Sequence, residues 1–278
     1  MSILVFSLIL FLGAILAGLV GSLTGLGGGV IIIPLLTLGL GVDLHYAIGA
    51  SIISVIATSS GSAAAYVREG ITNIRLGMFL EIATTIGAVI GVMVAVYLNA
   101  NYIAILFGCI LVFSALMALV KKVDHRIAES PNKWALWLKL NSTFPEDGKI
   151  VPYGVKNVPA GFLMMLFAGA MSGILGIGSG ALKVIAMDNI MRLPFKVSTT
   201  TSNFMMGVTA VASALVYAYR GQIVIGIAMP VCLGVLIGAT FGAKILLYSK
   251  PTKLKQFFAV VIILLALQMI YKGIVGSM

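Results

Sequence analysis

The sequence predicts an all-α integral membrane protein made of two inverted repeats, each a broken glycine hairpin plus three transmembrane helices. Three observations carry this expectation. Apolar residues make up 60% of the chain and charged residues 9%, with a mean hydropathy of +1.14, whereas a soluble domain carries about a quarter charged residues. Adding 151 to a residue number takes Gly25, Gly27, Gly29, Ser51, Thr58, Ser62 and Tyr66 onto Gly176, Gly178, Gly180, Ser202, Thr209, Ser213 and Tyr217 without a gap, so the chain contains an internal duplication. Each copy opens on an apolar segment interrupted by glycines, and paired interrupted segments in matching positions point to a transporter's substrate site.

The first broken segment covers residues 3–41, with GSLTGLGGGVIIIP (Gly21 to Pro34) at its break. Its opening, MSILVFSLILFL, has no Lys or Arg; it lacks the basic flank of a cleavable signal and is expected to stay in the protein. Plain spans follow at 46–67, 76–98 and 102–120, each near the roughly 20 residues that cross a hydrocarbon core of about 30 Å. The spans at 76–98 and 102–120 are continuously apolar, without the period-two alternation of a barrel wall. The second copy repeats the order, with SGILGIGSGALKVI inside a broken segment at 159–191 and spans at 195–219, 226–248 and 254–275. The expected units are a first membrane repeat (1–120), a cytoplasmic linker (121–156) and a second membrane repeat (157–278). Trp134 to Leu140 in the linker suggests a piece lying at headgroup level, where Trp is favoured.

The basic residues choose between two topologies. If the chain turns back at each glycine break, fourteen Lys and Arg fall on one face and only Arg220 and Lys272 on the other; if each broken segment crosses once, the split is eleven to five. The positive-inside rule favours the first. It inverts the two copies and places the linker in the cytoplasm and both termini outside. The net charge of +10 is then a topology signal, and no nucleic-acid partner is expected.

Backbone that leaves the helix at membrane depth must be buried in protein or line a watery cavity. Gly25, Gly27, Gly28 and Gly29 in one break, and Gly176, Gly178, Ser179 and Gly180 in the other, are therefore candidate substrate contacts, since a helix that restarts after such a break offers unpaired N–H groups to an anion. Small residues four apart, as at Gly87/Gly91 and Gly238/Gly242, read instead as helix contacts. Lys183 lies three residues past Gly180 in apolar surroundings where its twin is Ile32, and a lysine at membrane depth is a functional hypothesis by default. It either binds the anion or extends to the interface. Ser51, Thr201, Ser202 and Asn203, near the breaks, are candidates for oxygen or amide contacts. Glu81 is a candidate for the coupling ion, or else pairs with Arg75 or Lys244.

Enzyme chemistry has little support. His45 and His125 are isolated, HExxH and CxxC are absent, and neither glycine run continues into the GK[ST] of a phosphate-cradling loop. Cys109 and Cys232 are not equivalent positions and suggest neither a disulfide nor a metal site. No metal and no cofactor is expected, and ATP-driven pumping by this chain alone is excluded.

The signature Gly21, Gly25, Gly27, Gly28, Gly29 and Pro34, duplicated in a chain of this length, resembles the TauE/SafE family of sulfite and organosulfonate exporters over nearly everything outside the linker. The second copy departs from it at Ser179, Lys183 and Ile185. The resemblance implies a secondary transporter in the cell membrane that exports a small anion, such as sulfite, an organosulfonate or a related oxyanion, by alternating access. With the cell interior negative, each negative charge leaving gains about 2.3 kcal/mol per 100 mV. The readings that stay open are an anion channel, an importer of a sulfur-containing anion coupled to H+ or Na+, and a membrane scaffold; the oligomeric state stays open too.

Overall fold

A computed structural model describes residues 3–119, 133–146, 149–248 and 252–276. The rest of the linker, including Lys121, Lys122 and Arg126, and also Lys250, lie outside the described residues. The first copy forms α1 (Ile3–Thr24), α2 (Gly29–Pro34), α3 (Leu44–Arg68), α4 (Ile74–Ala95) and α5 (Ala100–Leu119). The linker holds α6 (Lys133–Trp137), β1 (Ser142–Glu146) and β2 (Lys149–Tyr153). The second copy forms α7 (Val158–Leu175), α8 (Gly180–Ile185), α9 (Phe195–Tyr219), α10 (Ile225–Tyr248) and α11 (Thr252–Val275). Among the described residues, six of these, α1, α3, α4, α7, α9 and α10, are long and apolar enough to cross a membrane. The protein is a multi-pass, predominantly helical membrane protein.

The glycines turn the chain at both breaks. Gly25 and Gly27 have φ of +74° and +83°, and their twins Gly176 and Gly178 have +65° and +71°, values that glycine reaches without a Cβ penalty. The return leg then lies against the first leg. A Cβ on Gly21 would stand 2.6 Å from the backbone of Gly27 and Gly28, and one on Gly13 would stand 2.5 Å from the Leu35 side chain. In the second copy the Lys156 N–H donates to the Met191 carbonyl at 3.0 Å, and Asn157 Nδ2 to the Ile190 carbonyl at 3.2 Å. Each hairpin is lopsided. Its first leg is a full-length helix, and its return leg is a six-residue helix followed by a π-helical turn, Leu35–Gly39 or Ala186–Ile190.

Helices of the two copies interleave. α1 packs along α10, α7 along α4, α5 along α11, and α3 against α9. Glycine permits the first two contacts: Gly87 and Gly91 face the carbonyls of Leu166 and Ala170, while Gly238 and Gly242 face those of Ile15 and Leu19. Without a hydrophobic drive between helices in lipid, such close backbone approach supplies the packing energy. Gly238→Val is expected to cost about 1–3 kcal/mol by overpacking, read as a lowered Tm in detergent. The ends of α3 and α9 meet crosswise. Gly49, early in α3, faces the Gln222 carbonyl just past α9, and the Asn73 N–H just past α3 donates to Thr201 Oγ1, early in α9, at 3.1 Å.

The antiparallel ribbon of β1 and β2, in register from Ser142↔Tyr153 to Glu146↔Lys149, is an addition to the expected all-α architecture. It docks on the membrane helices through Asn73, whose Nδ2 donates to the Leu140 carbonyl at 2.8 Å and to the Tyr153 hydroxyl at 3.0 Å. Burial pushes the Tyr153 phenol above its usual range, against the smaller opposing effect of hydrogen bonds with Asn73 and Ser142. It therefore stays neutral at physiological pH. Leu140, Phe144 and Tyr153 share one apolar cluster with Leu76, Leu80 and Met191. Trp134 and Trp137 in α6 are exposed.

Candidate functional site: two touching hairpin tips and a buried ion pair

The two glycine breaks touch each other. A Cβ on Gly180 would collide with the Gly25 carbonyl, and one on Gly29 would stand 3.3 Å from the Gly176 carbonyl and collide with Ser51 Oγ. Hydroxyls of the crossed helices hold these tips reciprocally. Ser51 on α3 donates to the Gly176 carbonyl at 2.6 Å, while its twin Ser202 on α9 reaches the Gly180 carbonyl at 3.2 Å and the Gly25 carbonyl at 3.5 Å. Tyr66 donates to the Ser22 carbonyl at 3.2 Å, and its twin Tyr217 to that of Gly173 at 2.9 Å. Gly28 N–H donates to Thr58 Oγ1 at 3.1 Å. Asn203 Nδ2 donates to the Ser22 carbonyl at 3.1 Å. Thr201 stands apart from the tips, bonded to Asn73 at the linker side.

The most charged departure from symmetry lies at Lys183. Lys183 on α8 is fully buried, and its Nζ lies 2.5 Å from Thr209 Oγ1 on α9 and 3.8 Å from Glu81 Oε2 on α4. The Thr209 hydroxyl lies 2.5 Å from Glu81 Oε1, and Thr85 donates to the same oxygen at 3.3 Å. Lysine therefore donates to threonine, and threonine to the carboxylate. The equivalent positions of the other copy are Ile32, Thr58 and Cys232. Ile32 and Cys232 belong to one apolar cluster, so both ionic partners are absent there together. The two cations that the sequence offers as partners of Glu81 are engaged elsewhere or point away: Arg75 donates to the Lys139 carbonyl at 3.1 Å, and Lys244 is exposed.

Several buried polar atoms in this region have no hydrogen-bond partner: Glu81 Oε2, Ser179 Oγ, Thr199 Oγ1 and Asn203 Oδ1. Ser179 also sits in the left-handed region at φ +43°, a conformation that costs a non-glycine residue about 1–3 kcal/mol and clusters at ligand-handling sites. Thr199 is a member of this group that the sequence does not single out. Its equivalent in the first copy is Ile48, an apolar residue, so the duplication holds no polar pair at that position. A small cavity of about 50 Å³ lies where α3 begins and α9 ends, lined by His45, Arg220, Gln222, Tyr217 and Ile48 among others. Its Ile48 also packs on the second tip, 2.6 Å from where a Cβ on Gly176 would stand. Among the described residues no group of three His, Cys, Asp or Glu side chains could hold a metal ion.

A family described as "Sulfite exporter TauE/SafE" matches residues 10–269. The chain is 29% identical to the "Probable membrane transporter protein YunE" of Bacillus subtilis over 97% of its own length and 98% of that protein's. It is 25% identical to YdhB of the same organism, with 85% and 87% covered, and 25% identical to a "Probable membrane transporter protein" of Xylella fastidiosa, with 96% of each covered. No solved structure matches the chain significantly. The glycine breaks, the duplicated helices and a match that runs through both copies together make this chain a member of the TauE/SafE family of membrane transporters.

Proposed function

We propose that the protein is a secondary active transporter that exports a small anion, of the sulfite, organosulfonate or related oxyanion class, across the cytoplasmic membrane by alternating access. The observation that carries this reading is Lys183, a fully buried cation on the return leg of a hairpin whose tip touches the other tip. A buried charge is retained only when paired or used. The unpartnered oxygens of Ser179, Thr199 and Asn203, on the second tip and on α9, add hydrogen-bonding capacity to the region. Gly25, Gly27, Gly28, Gly29, Gly176, Gly178 and Gly180 form the hinge and wall of the site, with Ser51 and Ser202 holding backbone around it.

The copies are read as inverted. Supporting this, the beginning of α3 meets the end of α9 and the beginning of α9 meets the end of α3, as antiparallel partners must. The linker then lies in the cytoplasm and both termini outside. Because α1 packs on α10 and α7 on α4, the units that rock each combine helices of both copies. Opening separates the two tips, alternately toward the face that carries the His45–Arg220 cavity and toward the linker face.

The test is purified protein screened by thermal shift against sulfite, sulfate, thiosulfate, sulfoacetate and taurine, followed by flux in proteoliposomes. Stabilisation by one oxyanion and saturable flux of that ion are expected. A rise in flux without saturation would indicate a channel, and silence across the panel would remove the anion reading.

A further inference from the structure

The ion pair between Lys183 and Glu81 bears on energy coupling, on the premise of the anion reading above. We infer that the Glu81 carboxylate is a tethered competitor for the substrate position on Lys183, so that each anion bound displaces it and is accompanied by one proton taken up on Glu81.

Charge balance requires the proton. Lys183 is fully buried and Glu81 nearly so, at 7% exposure. In this closed arrangement they form a pair with zero net charge. An anion that binds Lys183 adds a negative charge to a site where an uncompensated ion costs several kcal/mol. Neutralisation of Glu81 by a proton offsets the charge of a monoanion and halves the excess left by a dianion, at the least expense.

The geometry permits the exchange. Glu81 Oε2 is 3.8 Å from Nζ and has no hydrogen-bond partner, so the contact is loose on that side. The direct bonds run through Thr209, a hydroxyl that can turn to donate to an incoming oxyanion. An anion carries the acceptor oxygens that Lys183 and Thr209 now share with a carboxylate.

Other charged groups do not take this part. On α4, Arg75 is bonded to the Lys139 carbonyl. α7 contains no ionisable side chain, and α8 contains only Lys183. On α9 the ionisable groups are Lys196, Tyr217 and Tyr219; Lys196 is thirteen residues from Thr209, and Tyr217 is bonded to Gly173. Asp188, on the π-helical turn after α8, has an interaction of its own. In the other copy Ile32 and Cys232 hold the equivalent places, so one coupling site per chain follows. A dianion accompanied by one proton still carries one negative charge outward, which keeps export favoured electrically, whereas a monoanion moves without net charge.

The test uses full-length protein in proteoliposomes with the membrane voltage clamped and a pH-sensitive dye inside. Thiosulfate is the first probe, with sulfate and sulfoacetate as alternates, because their charges hold constant near neutral pH. Inward flux is expected to acidify the lumen by about one proton per anion, and a gradient of one pH unit is expected to sustain an accumulation ratio of about tenfold. Glu81→Gln is expected to lose the acidification and the pH-driven accumulation. Wild-type flux without proton movement overturns the inference and leaves the anion reading standing; absence of flux for every anion of the panel removes the anion reading itself. Retention of pH-driven accumulation by Glu81→Gln overturns the assignment to Glu81. If that variant does not fold, the proton count on the wild type decides alone.

Discussion

Gly180→Ala is expected to reduce transport by about a hundredfold or more, the scale on which small displacements act at a site whose geometry must be held closely, and to lower the melting temperature measurably. The new methyl would collide with the Gly25 carbonyl and approach Met206 Sδ at 2.7 Å. Met206 can turn aside, being flexible. The carbonyl cannot, because Gly25 is fixed by its turn at φ +74° and by its N–H bond to the Gly21 carbonyl at 3.0 Å. The tips must therefore separate in the closed state, at an overpacking cost of about 1–3 kcal/mol. Flux in proteoliposomes and thermal unfolding in detergent check the two halves of this expectation. Wild-type flux in a folded Gly180→Ala protein would show that the touching of the tips has no part in the cycle.

Lys183→Ala is expected to destabilise the protein by about 3–5 kcal/mol, the usual cost of leaving one member of a buried pair alone, because Glu81 would remain buried with only Thr209 and Thr85 as partners. The double replacement Lys183→Ile with Glu81→Cys copies the side chains of the other repeat, Ile32 and Cys232. It is expected to recover most of that stability, since apolar residues often replace a buried ion pair at no net cost, while anion binding stays abolished. The comparison of melting temperature with thermal shift by thiosulfate separates the two roles of the pair. A double variant that is stable and still shifts with anion would show that Lys183 only holds α8 in place.

The linker shows how a short-range signal can hide beside a long-range one. Residues 142–146 and 149–153 flank Asp147-Gly148, a dipeptide that favours two-residue hairpins, yet Trp134 and Trp137 of the same stretch point to a membrane-surface segment. The structure realises the first signal as the ribbon, preceded by α6 with its exposed tryptophans. The position of the hairpin depends on neighbours that the sequence does not display. Asn73 ties Leu140, Tyr153 and Thr201 together, and the strands bury Phe144 and Tyr153 against α4 and the second return leg.

The sequence alone determined that this is a helical membrane protein and that it is duplicated, and its basic residues favoured a chain that turns at two glycine runs. Apolar length follows from the bilayer, and φ near +70° follows from the absence of Cβ, so both are written into a few adjacent residues. Tertiary structure decided which helices of one copy pack on the other and which acid neutralises Lys183. That acid is Glu81 from the opposite repeat, held through Thr209 from a third helix. No periodicity or motif encodes such a meeting, because burial of a charge is relieved only by what the folded chain brings within a few ångströms, and that distance is set by close approach of backbones far apart in the sequence.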